Sequence, residues 1–201
     1  MGYRKAVFID KDGTLIPNIP YNVDPEKITL AQHATEALRM LQDEDYLLVV
    51  LTNQSGVAKG LFKETDLNQV RHKIESLLSI ESVHLSGFYS CPHHPEGIIP
   101  EYTKICTCRK PSTGMFLKAC EDLSIDLTKS WMIGDILHDV EAGNRAGCKS
   151  ILINNGNETE WKNGPHRQPT YIAFDLLQAA EFILSNSTYK KHDKQHVSLT
   201  Y

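Results

Sequence analysis

The stretch AVFIDKDGT, residues 6–14, joins a short run of apolar residues to two carboxylates that directly follow it. The run AVFI has the apolar, partly β-branched character of a strand that is buried on both faces, as strands of parallel sheets are. Asp10 and Asp12 then stand at the end of this strand, next to the turn-forming Gly13. The stretch therefore predicts a buried strand that carries two acidic side chains to one edge of a sheet.

Similar apolar runs recur along the chain, and helical patterns separate most of them. A helical stripe of apolar residues runs over 67–78, with Thr65 or Asp66 at its start, and a short helix is expected to begin at Glu141. Alternating strands and helices predict an α/β fold, with a doubly wound, mainly parallel sheet and helices on both faces. The strand candidates are 6–9, 47–51, 83–89, 131–133, 150–153 and 171–174, and the other helix candidates are 34–41, 115–123 and 175–184.

Length and composition limit the classes of function. The 201 residues are enough for one α/β domain with a full core, expected over residues 1–185 and followed by a polar tail at 186–201. A net charge of −4 gives no basic surface for nucleic acid, and no apolar stretch approaches the roughly 18 residues of a membrane helix. The N-terminal residues do not resemble a secretory signal. These features favour a cytoplasmic protein.

The acidic pair after the first strand lies where an open parallel sheet binds its ligands, beyond the carboxyl ends of the strands. Asp10 and Asp12 cannot both be buried without a cation or a proton, because burying unpaired charge is costly. Such a pair can bind Mg²⁺ and leave one carboxylate oxygen free to attack a substrate. The alternative is an ordinary turn, since Asp-Gly is a strong turn pair.

Further polar groups are expected at the same edge of the sheet. The loop TNQSG, residues 52–56, offers hydroxyl, amide and backbone N–H groups that can bind an anion. Asp135 follows the fourth strand, and Asp139, one helical turn later, could equally cap a helix. Arg109 and Lys110 precede a helix and can hold a phosphate, or they form a solvated surface pair. Together with the acidic pair, these groups supply the parts that phosphoryl transfer needs.

The segment CPHHPEGIIPEYTKICTCRK, residues 91–110, contains three of the chain's five cysteines and two histidines. A disulfide loop, a catalytic thiol and a metal site are all compatible with it, but the reducing cytosol favours metal or catalysis. Three thiolates and one imidazole fill all four positions of a tetrahedral site, which is typical of structural rather than catalytic Zn²⁺. The spacing gives the candidate ligands as Cys91, Cys106 and Cys108 with His93 or His94.

Taken together, these motifs resemble the haloacid-dehalogenase-like (HAD-like) phosphatases, whose fold is of the Rossmann type. The resemblance rests on D-x-D-G-T after the first strand, T-N-Q-S-G after the second, R-K before a helix and G-D-x-x-x-D after the fourth, over roughly residues 6–155. The branch that contains D-glycero-D-manno-heptose-1,7-bisphosphate 7-phosphatase and histidinol-phosphate phosphatase also carries C-x-H…C-x-C followed directly by R-K-P, as this sequence does.

The resemblance implies a Mg²⁺-dependent phosphomonoester hydrolase that works through an aspartyl-phosphate. Asp10 would be the nucleophile, and Asp12 would be the general acid and then the general base. Mg²⁺ would be held by Asp10, Asp135 and the backbone carbonyl of Asp12, whereas Asp139 would orient its neighbours. The other implied roles are phosphate stabilisation by Thr52 and Lys110, substrate contact by Asn18, Tyr21, Asn53, Gln54, Ser55 and Arg109, and zinc ligation by Cys91, His93, Cys106 and Cys108.

The same branch implies a small phosphorylated metabolite as the substrate. The 7-phosphate of heptose 1,7-bisphosphate is favoured, with histidinol phosphate or another small sugar or alcohol phosphate as the alternative. That alternative stays open because Ile136 stands where the heptose enzymes often have Lys, and Pro20 where they often have Gly. The chain is expected to be a monomer without a cap domain, with loops 16–24, 54–62 and 91–108 around the site. Zinc would fix the last loop without taking part in the chemistry.

Three other functions fit part of the pattern. A polynucleotide 3′-phosphatase shares the D-x-D-G-T and T-N-Q core, but it needs a basic groove that this acidic sequence lacks. A non-catalytic zinc module would account for the Cys/His segment and leave Asp10, Asp12, Asp135 and Lys110 without a purpose. A phosphotransferase that passes the phosphoryl group from Asp10 to an acceptor alcohol needs the same residues, so only product analysis separates it from a hydrolase.

Overall fold

The computed structural model describes residues 3–193, and at its centre lies a six-stranded sheet. The spatial order is β3-β2-β1-β4-β5-β6, and every neighbouring pair is parallel. The chain moves from β1 to one side and then returns through β4 to the other, which puts the topological switch point between β1 and β4. In chain order the strands are β1 (Ala6–Ile9), β2 (Leu47–Asn53), β3 (Gly87–Cys91), β4 (Trp131–Gly134), β5 (Lys149–Ile153) and β6 (Tyr171–Ala173).

Helices cover both faces of the sheet because its strands are apolar on both sides. In β1, Val7 and Ile9 pack into the core on one face of the sheet, whereas Ala6 and Phe8 pack into the core on the other face. The predicted doubly wound fold is therefore confirmed. The α-helices of the described residues are α1 (Ala34–Asp43), α2 (Asp66–Ser79), α3 (Gly114–Leu123), α4 (Leu137–Ala146) and α5 (Leu176–Asp193), with 3₁₀ turns at Pro25–Lys27 and Leu127–Lys129.

Two predicted boundaries in the middle of the chain are wrong. The third strand, predicted over 83–89, is displaced toward the C-terminus, and its pairing with β2 continues as far as Asn53 opposite Cys91. The helix expected to begin at Glu141 begins at Leu137 instead. Glu158 Oε2 accepts a hydrogen bond from the backbone N–H of Leu137 at 2.6 Å, and this long-range cap supports the additional turn.

The C-terminal helix is also longer than its apolar pattern indicates. Helix α5 continues past Ser185 to Asp193, so a helix occupies the first part of the segment predicted as a polar tail at 186–201. The rest of that segment, 194–201, lies outside the described residues.

The connections within residues 3–193 contain no additional folded domain. Between β1 and β2 lie a loop, a 3₁₀ turn and α1. The connection between β3 and α3, residues 92–113, consists of the Cys/His loop, which spans residues 91–108, and the short segment 109–113. This agrees with the prediction that the chain has no cap. Over the same described range, no helix combines the length and the apolar character needed to cross a bilayer.

Candidate active site

Three buried carboxylates meet at the switch point of the sheet. Asp10 directly follows β1 and its backbone N–H donates to the carbonyl of Ile133 at 2.9 Å, while Asp135 directly follows β4. Asp139 lies in the first turn of α4. Carboxylate oxygens of Asp10, Asp135 and Asp139 lie within 4.8 Å of one another. The residues that were predicted to converge from the first and fourth strands therefore do so.

The ammonium group of Lys110 provides a buried positive charge beside these carboxylates. Its Nζ atom donates to Asp10 Oδ1 and to the carbonyl of Leu51 at 2.8 Å, and it lies 2.7 Å from Asp139 Oδ1. Burial alone would lower the pKa of Lys110, but the charges of Asp10 and Asp139 outweigh this effect and raise it. Lys110 is therefore protonated, and it holds the side chain of Asp10 in place.

One ammonium group does not balance three carboxylates in a buried site. Burial raises the pKa of Asp10 well above its usual value; Lys110 opposes this shift, and Asp139 and Asp135 add to it. Burial and the charge of Asp139 likewise raise the pKa of Asp135 from 3.8 to about 6. Hard oxygen donors with an excess of negative charge suit a divalent cation such as Mg²⁺, which would relieve this repulsion. The residues present therefore fit the metal that the sequence predicts.

Asp12 lies at the mouth of the site, where its side chain is 31% exposed. Lys11 Nζ donates to Asp12 Oδ1 at 2.7 Å, and Gln54 Nε2 donates to Asp12 Oδ2 at 2.9 Å. The same Gln54 nitrogen also donates to Thr52 Oγ1 at 2.8 Å. The carboxyl group of Asp12 is thus fixed between two loops, in a position open to a bound substrate.

A cavity of about 250 Å³ adjoins Asp12. Five of the six predicted substrate-contact residues line it, and Arg109 is the exception. The predicted residues in its wall are Asn18, Tyr21, Asn53, Gln54 and Ser55, together with Lys11 and Asp12. The cavity is of a size for a small alcohol or sugar portion of a phosphomonoester.

Asn53 also has a positioning role within this wall. Its Nδ2 donates to the carbonyl of Lys110 at 3.0 Å, and its Oδ1 accepts from the backbone N–H of Lys110 at 3.0 Å. Because Asn53 is the last residue of β2, this pair of bonds ties the segment before α3 to the sheet. The side chain of Asn53 therefore fixes the backbone that carries Lys110.

Basic groups gather at the rim of the cavity. Lys59 Nζ donates to Tyr21 Oη at 2.8 Å, and Arg109 Nη1 contacts the carbonyl of His93 at 3.5 Å. Burial lowers the pKa of His94, and the nearby charges of Arg109 and Lys59 lower it further. Lys59 and Arg109 therefore lie close to the same histidine and form one positively charged border next to the site.

The Cys/His loop brings its four predicted ligands together. The three sulfur–sulfur distances lie between 3.0 and 3.6 Å, and His93 Nδ1 lies 3.3 Å from Cys108 Sγ and 3.7 Å from Cys91 Sγ. All five cysteines are free, so no disulfide closes the loop. A tetrahedral site with metal–ligand distances of about 2.0–2.3 Å has ligand atoms roughly 3.5–3.8 Å apart. The four side chains therefore fit a zinc ion after a small expansion.

The neighbouring contacts distinguish the two histidines. His94 Nδ1 accepts from the backbone N–H of Glu96 at 3.1 Å and lies outside the four-residue cluster. His93 is thus the imidazole that faces the thiols.

The loop is also tied to the opposite wall of the site, because the N–H groups of Ile98 and Ile99 both donate to the carbonyl of Ala58, at 2.8 and 3.0 Å.

The sequence analysis did not identify three residues of the site. Lys11 is 1% exposed and pairs with Asp12, while Asn155 and Asn157 follow β5 and reach Gly13 and Asp135. The polar run NNGNE, residues 154–158, carried a usable signal, since the rule that ligands meet beyond strand ends applies to β5 as well. No local sequence pattern predicted that the side chain of Lys11 would be buried.

Comparison with known proteins agrees with this geometry. Residues 107–179 match a family model described as HAD-hydrolase-like. The chain is 44% identical over 155 residues to a Haemophilus ducreyi protein, and the aligned region covers 76% of this chain and 85% of the relative. It is 41% identical over 180 residues to a Pasteurella multocida protein, covering 90% of this chain and 97% of the relative. The chain belongs to the HAD-like phosphatases.

The two relatives carry the same enzyme name. Both relatives are D-glycero-beta-D-manno-heptose-1,7-bisphosphate 7-phosphatases. The crystal structure of D,D-heptose 1,7-bisphosphate phosphatase from B. bronchiseptica, complexed with magnesium and phosphate, superposes with a TM-score of 0.78 and 28% sequence identity. That superposition covers 90% of this chain and 99% of the other.

Proposed function

We propose that this phosphatase removes the 7-phosphate of D-glycero-D-manno-heptose 1,7-bisphosphate in a Mg²⁺-dependent reaction through an aspartyl-phosphate. The observation that carries the proposal is the placement of Asp10 between Lys110 and Asp135, next to a cavity that Asp12 faces. Nucleophile, phosphate clamp, metal ligands and general acid are thus all present in one chain. The identity of the substrate is proposed from the heptose bisphosphate phosphatases that the chain resembles.

In the first step, an Oδ atom of Asp10 attacks the phosphorus atom and the bond to the sugar oxygen breaks. Asp12 donates a proton to the departing alkoxide, which leaves as an alcohol. Lys110, whose Nζ donates to Asp10 Oδ1, and the hydroxyl of Thr52 near the end of β2 bind the phosphoryl oxygens. The product at this stage is an aspartyl-phosphate and a free sugar 1-phosphate.

In the second step, Asp12 is the general base that takes a proton from an attacking water. The water oxygen bonds to phosphorus, the bond to Asp10 breaks, and inorganic phosphate and the Asp10 carboxylate result. Asp10, Asp135 and the carbonyl of Asp12 would hold Mg²⁺. When bound, this ion neutralises the repulsion between a phosphate dianion and the buried carboxylates.

The cavity and its basic border support a substrate with a second anionic group. The wall contributes amides and hydroxyls from Asn18, Tyr21 and Ser55, which suit a polyhydroxylated chain. Lys59 and Arg109 give the border the positive charge that a 1-phosphate needs. The hydrophobic Ile136 next to Asp135 leaves this recognition to the loops, and histidinol phosphate remains the alternative substrate.

The Cys/His loop is proposed to bind structural Zn²⁺ through Cys91, His93, Cys106 and Cys108. Since Lys110 comes two residues after the last ligand, the metal would fix the segment that carries both Arg109 and Lys110. We further propose that the enzyme is a cytoplasmic monomer, in keeping with its small size and the absence of a cap domain within the described residues.

The experiment that tests the proposal measures phosphate release with Mg²⁺ from both anomers of heptose 1,7-bisphosphate, histidinol phosphate, other sugar phosphates and a 3′-phosphorylated oligonucleotide. We expect strong selection for a heptose bisphosphate and, by ³¹P NMR, a heptose 1-phosphate product. Asp10→Asn is the control and should reduce turnover by about four orders of magnitude or more. Preference for histidinol phosphate would make that compound, rather than the heptose bisphosphate, the proposed substrate. Transfer of the phosphoryl group to an added alcohol would identify the enzyme as a phosphotransferase.

A further inference from the structure

Asn157, in the loop after β5, contacts the candidate metal ligand Asp135. Its Nδ2 donates to Asp135 Oδ2 at 2.7 Å. The other carboxylate oxygen, Oδ1, accepts a long hydrogen bond of 3.5 Å from Thr14 Oγ1. The two oxygens of Asp135 therefore differ in their surroundings: one is held by an amide, and the other remains available to a cation.

The amide of Asn157 packs closely against this carboxylate. Gly13 has φ +86°, and a Cβ atom at this position would lie 2.0 Å from Asp135 Oδ2 and 2.5 Å from Asn157 Nδ2. Only glycine leaves room for both groups there and tolerates the left-handed backbone. The contact between Asn157 and Asp135 is thus enclosed by the backbone that follows the nucleophile.

The loop that carries Asn157 is attached at several points. Asn155 Nδ2 donates to the carbonyl of Gly13 at 2.6 Å, and Asn155 Oδ1 accepts from the N–H of Asn157 at 3.2 Å. Glu158 Oε2 accepts from the N–H of Leu137 at 2.6 Å, at the start of the helix that contains Asp139. The loop therefore links the β1 loop to α4, with Asn157 directed at Asp135 between them.

We infer that Asn157 is a positioning residue for the metal: it holds Oδ2 of Asp135 and thereby directs Oδ1 toward the cation. The inference rests on the proposed Mg²⁺-dependent function. A neutral amide donor can fix a carboxylate without competing with the cation for its charge. Outer hydrogen-bond partners of metal ligands typically change metal affinity by about 10–100-fold when they are removed.

The inference separates metal binding from phosphoryl transfer. The hydrogen bonds of the Asn157 side chain and backbone N–H go to Asp135 and Asn155 rather than to Asp10 or Asp12, so its loss should weaken Mg²⁺ binding while the groups that bind phosphate and transfer protons stay in place. Saturating Mg²⁺ should then restore kcat. An ordinary structural role would instead lower kcat or stability at every Mg²⁺ concentration.

The test is isothermal titration of Mg²⁺ into the full-length protein without substrate, followed by phosphate release as a function of Mg²⁺ concentration. Asn157→Ala removes the amide, and Asn157→Leu replaces it with a hydrocarbon side chain that has the same number and branching of heavy atoms. Both are expected to raise the Kd for Mg²⁺ about tenfold or more. Asn163→Ala, an exposed asparagine in the same connection to β6, is the matched control and should bind Mg²⁺ like the parent protein.

The outcomes distinguish this inference from the proposed function. If Asn157→Ala and Asn157→Leu bind Mg²⁺ like the parent while Asp135→Asn loses binding, the metal centre stands and the role of Asn157 is refuted. If only Asn157→Ala is weakened and Asn157→Leu is not, Asn157 fills space and the inference also fails. Undiminished Mg²⁺ binding by Asp135→Asn would reject the metal centre itself, and with it the proposed function.

Discussion

Lys110 Nζ lies 2.7 Å from Asp139 Oδ1, and both side chains are almost completely buried, with 2% and 1% of their surface exposed. The two residues come from different elements, since Lys110 precedes α3 and Asp139 lies in α4. Asp139 Oδ2 also accepts from the N–H of Ile136 at 3.4 Å. This buried pair places the ammonium group of Lys110 where it meets Asp10.

Lys110→Met should destabilise the protein as well as inactivate it. The variant leaves Asp10, Asp135 and Asp139 without their buried cation, and breaking such a pair costs about 3–5 kcal/mol. We expect a fall of this size in the free energy of unfolding in urea near pH 7. Lys118→Met, which removes a surface ion pair with Asp122, should have only a small effect. Equal stability of the two variants would contradict the buried pair.

Asp12→Asn should affect substrates according to their leaving group. A sugar alkoxide needs a proton from Asp12, so kcat/KM should fall by about 10²–10⁴-fold. With p-nitrophenyl phosphate, whose phenolate leaves without a proton, the first step should be nearly preserved and water activation should be slow. Stopped-flow measurement should then show a burst of p-nitrophenol followed by slow turnover. Similar losses in the first step for both substrates would remove Asp12 as the general acid.

The stability of the Mg²⁺-free protein should fall between about pH 4 and pH 6 because of Asp135. Its pKa is about 6 in the folded protein and 3.8, the ordinary value, in the unfolded chain. The native state therefore binds the proton more tightly. The resulting stability is fully present below the lower value and lost as the pH rises through the upper one, a change of about 3 kcal/mol.

Urea unfolding in Mg²⁺-free buffer across this range checks the effect. Asp135→Asn cannot titrate and should show a flatter pH dependence than the parent protein. Added Mg²⁺ should remove most of the difference, because it binds the ionised carboxylate. The same slope in both proteins would show that Asp135 does not titrate in this range.

Cys108→Ser should lower the zinc content to well below one ion per chain. A hydroxyl replaces one of the three thiolates, and structural sites depend on all four ligands. Metal analysis of the purified protein measures the effect, and limited proteolysis should show a looser Cys/His loop. Cys120→Ser in α3 is the control, and it should keep its zinc. Full zinc retention by Cys108→Ser would mean that the ligand set is wrong.

Lys59→Met should weaken selection for the second phosphate. Removing a charge at the partly exposed border should raise KM for heptose 1,7-bisphosphate about three- to fivefold, with little change in kcat. KM for heptose 7-phosphate, which lacks the 1-phosphate, should stay the same. Lys63→Met, four residues further on, removes an equal charge without removing the hydrogen bond that Lys59 donates to Tyr21 of the cavity wall. An identical effect of both variants would indicate general electrostatic attraction rather than contact at the border.

The sequence predicted the sheet and most of the site because both depend on local patterns. Buried strands appear as apolar runs, and the strand ends that carry Asp10, Thr52 and Asp135 lie at the same edge of any parallel sheet. The start of α4 was not predictable in this way, since Glu158 caps Leu137 from another part of the chain. The burial of Lys11 likewise depends on the loops that fold over it. What the sequence analysis missed was set by contacts between distant segments.

The hydrogen bonds from the N–H groups of Ile98 and Ile99 to the carbonyl of Ala58 join two walls of the site, so that a movement of one wall displaces the other. One wall is held by the Cys/His cluster, and the other carries Lys59, while Asp10 and Asp135 belong to the sheet. If the cluster holds zinc as proposed, loss of the ion would loosen both the wall that carries Lys59 and the segment that carries Arg109 and Lys110, so that discrimination between phosphorylated metabolites and hydrolysis would decline together.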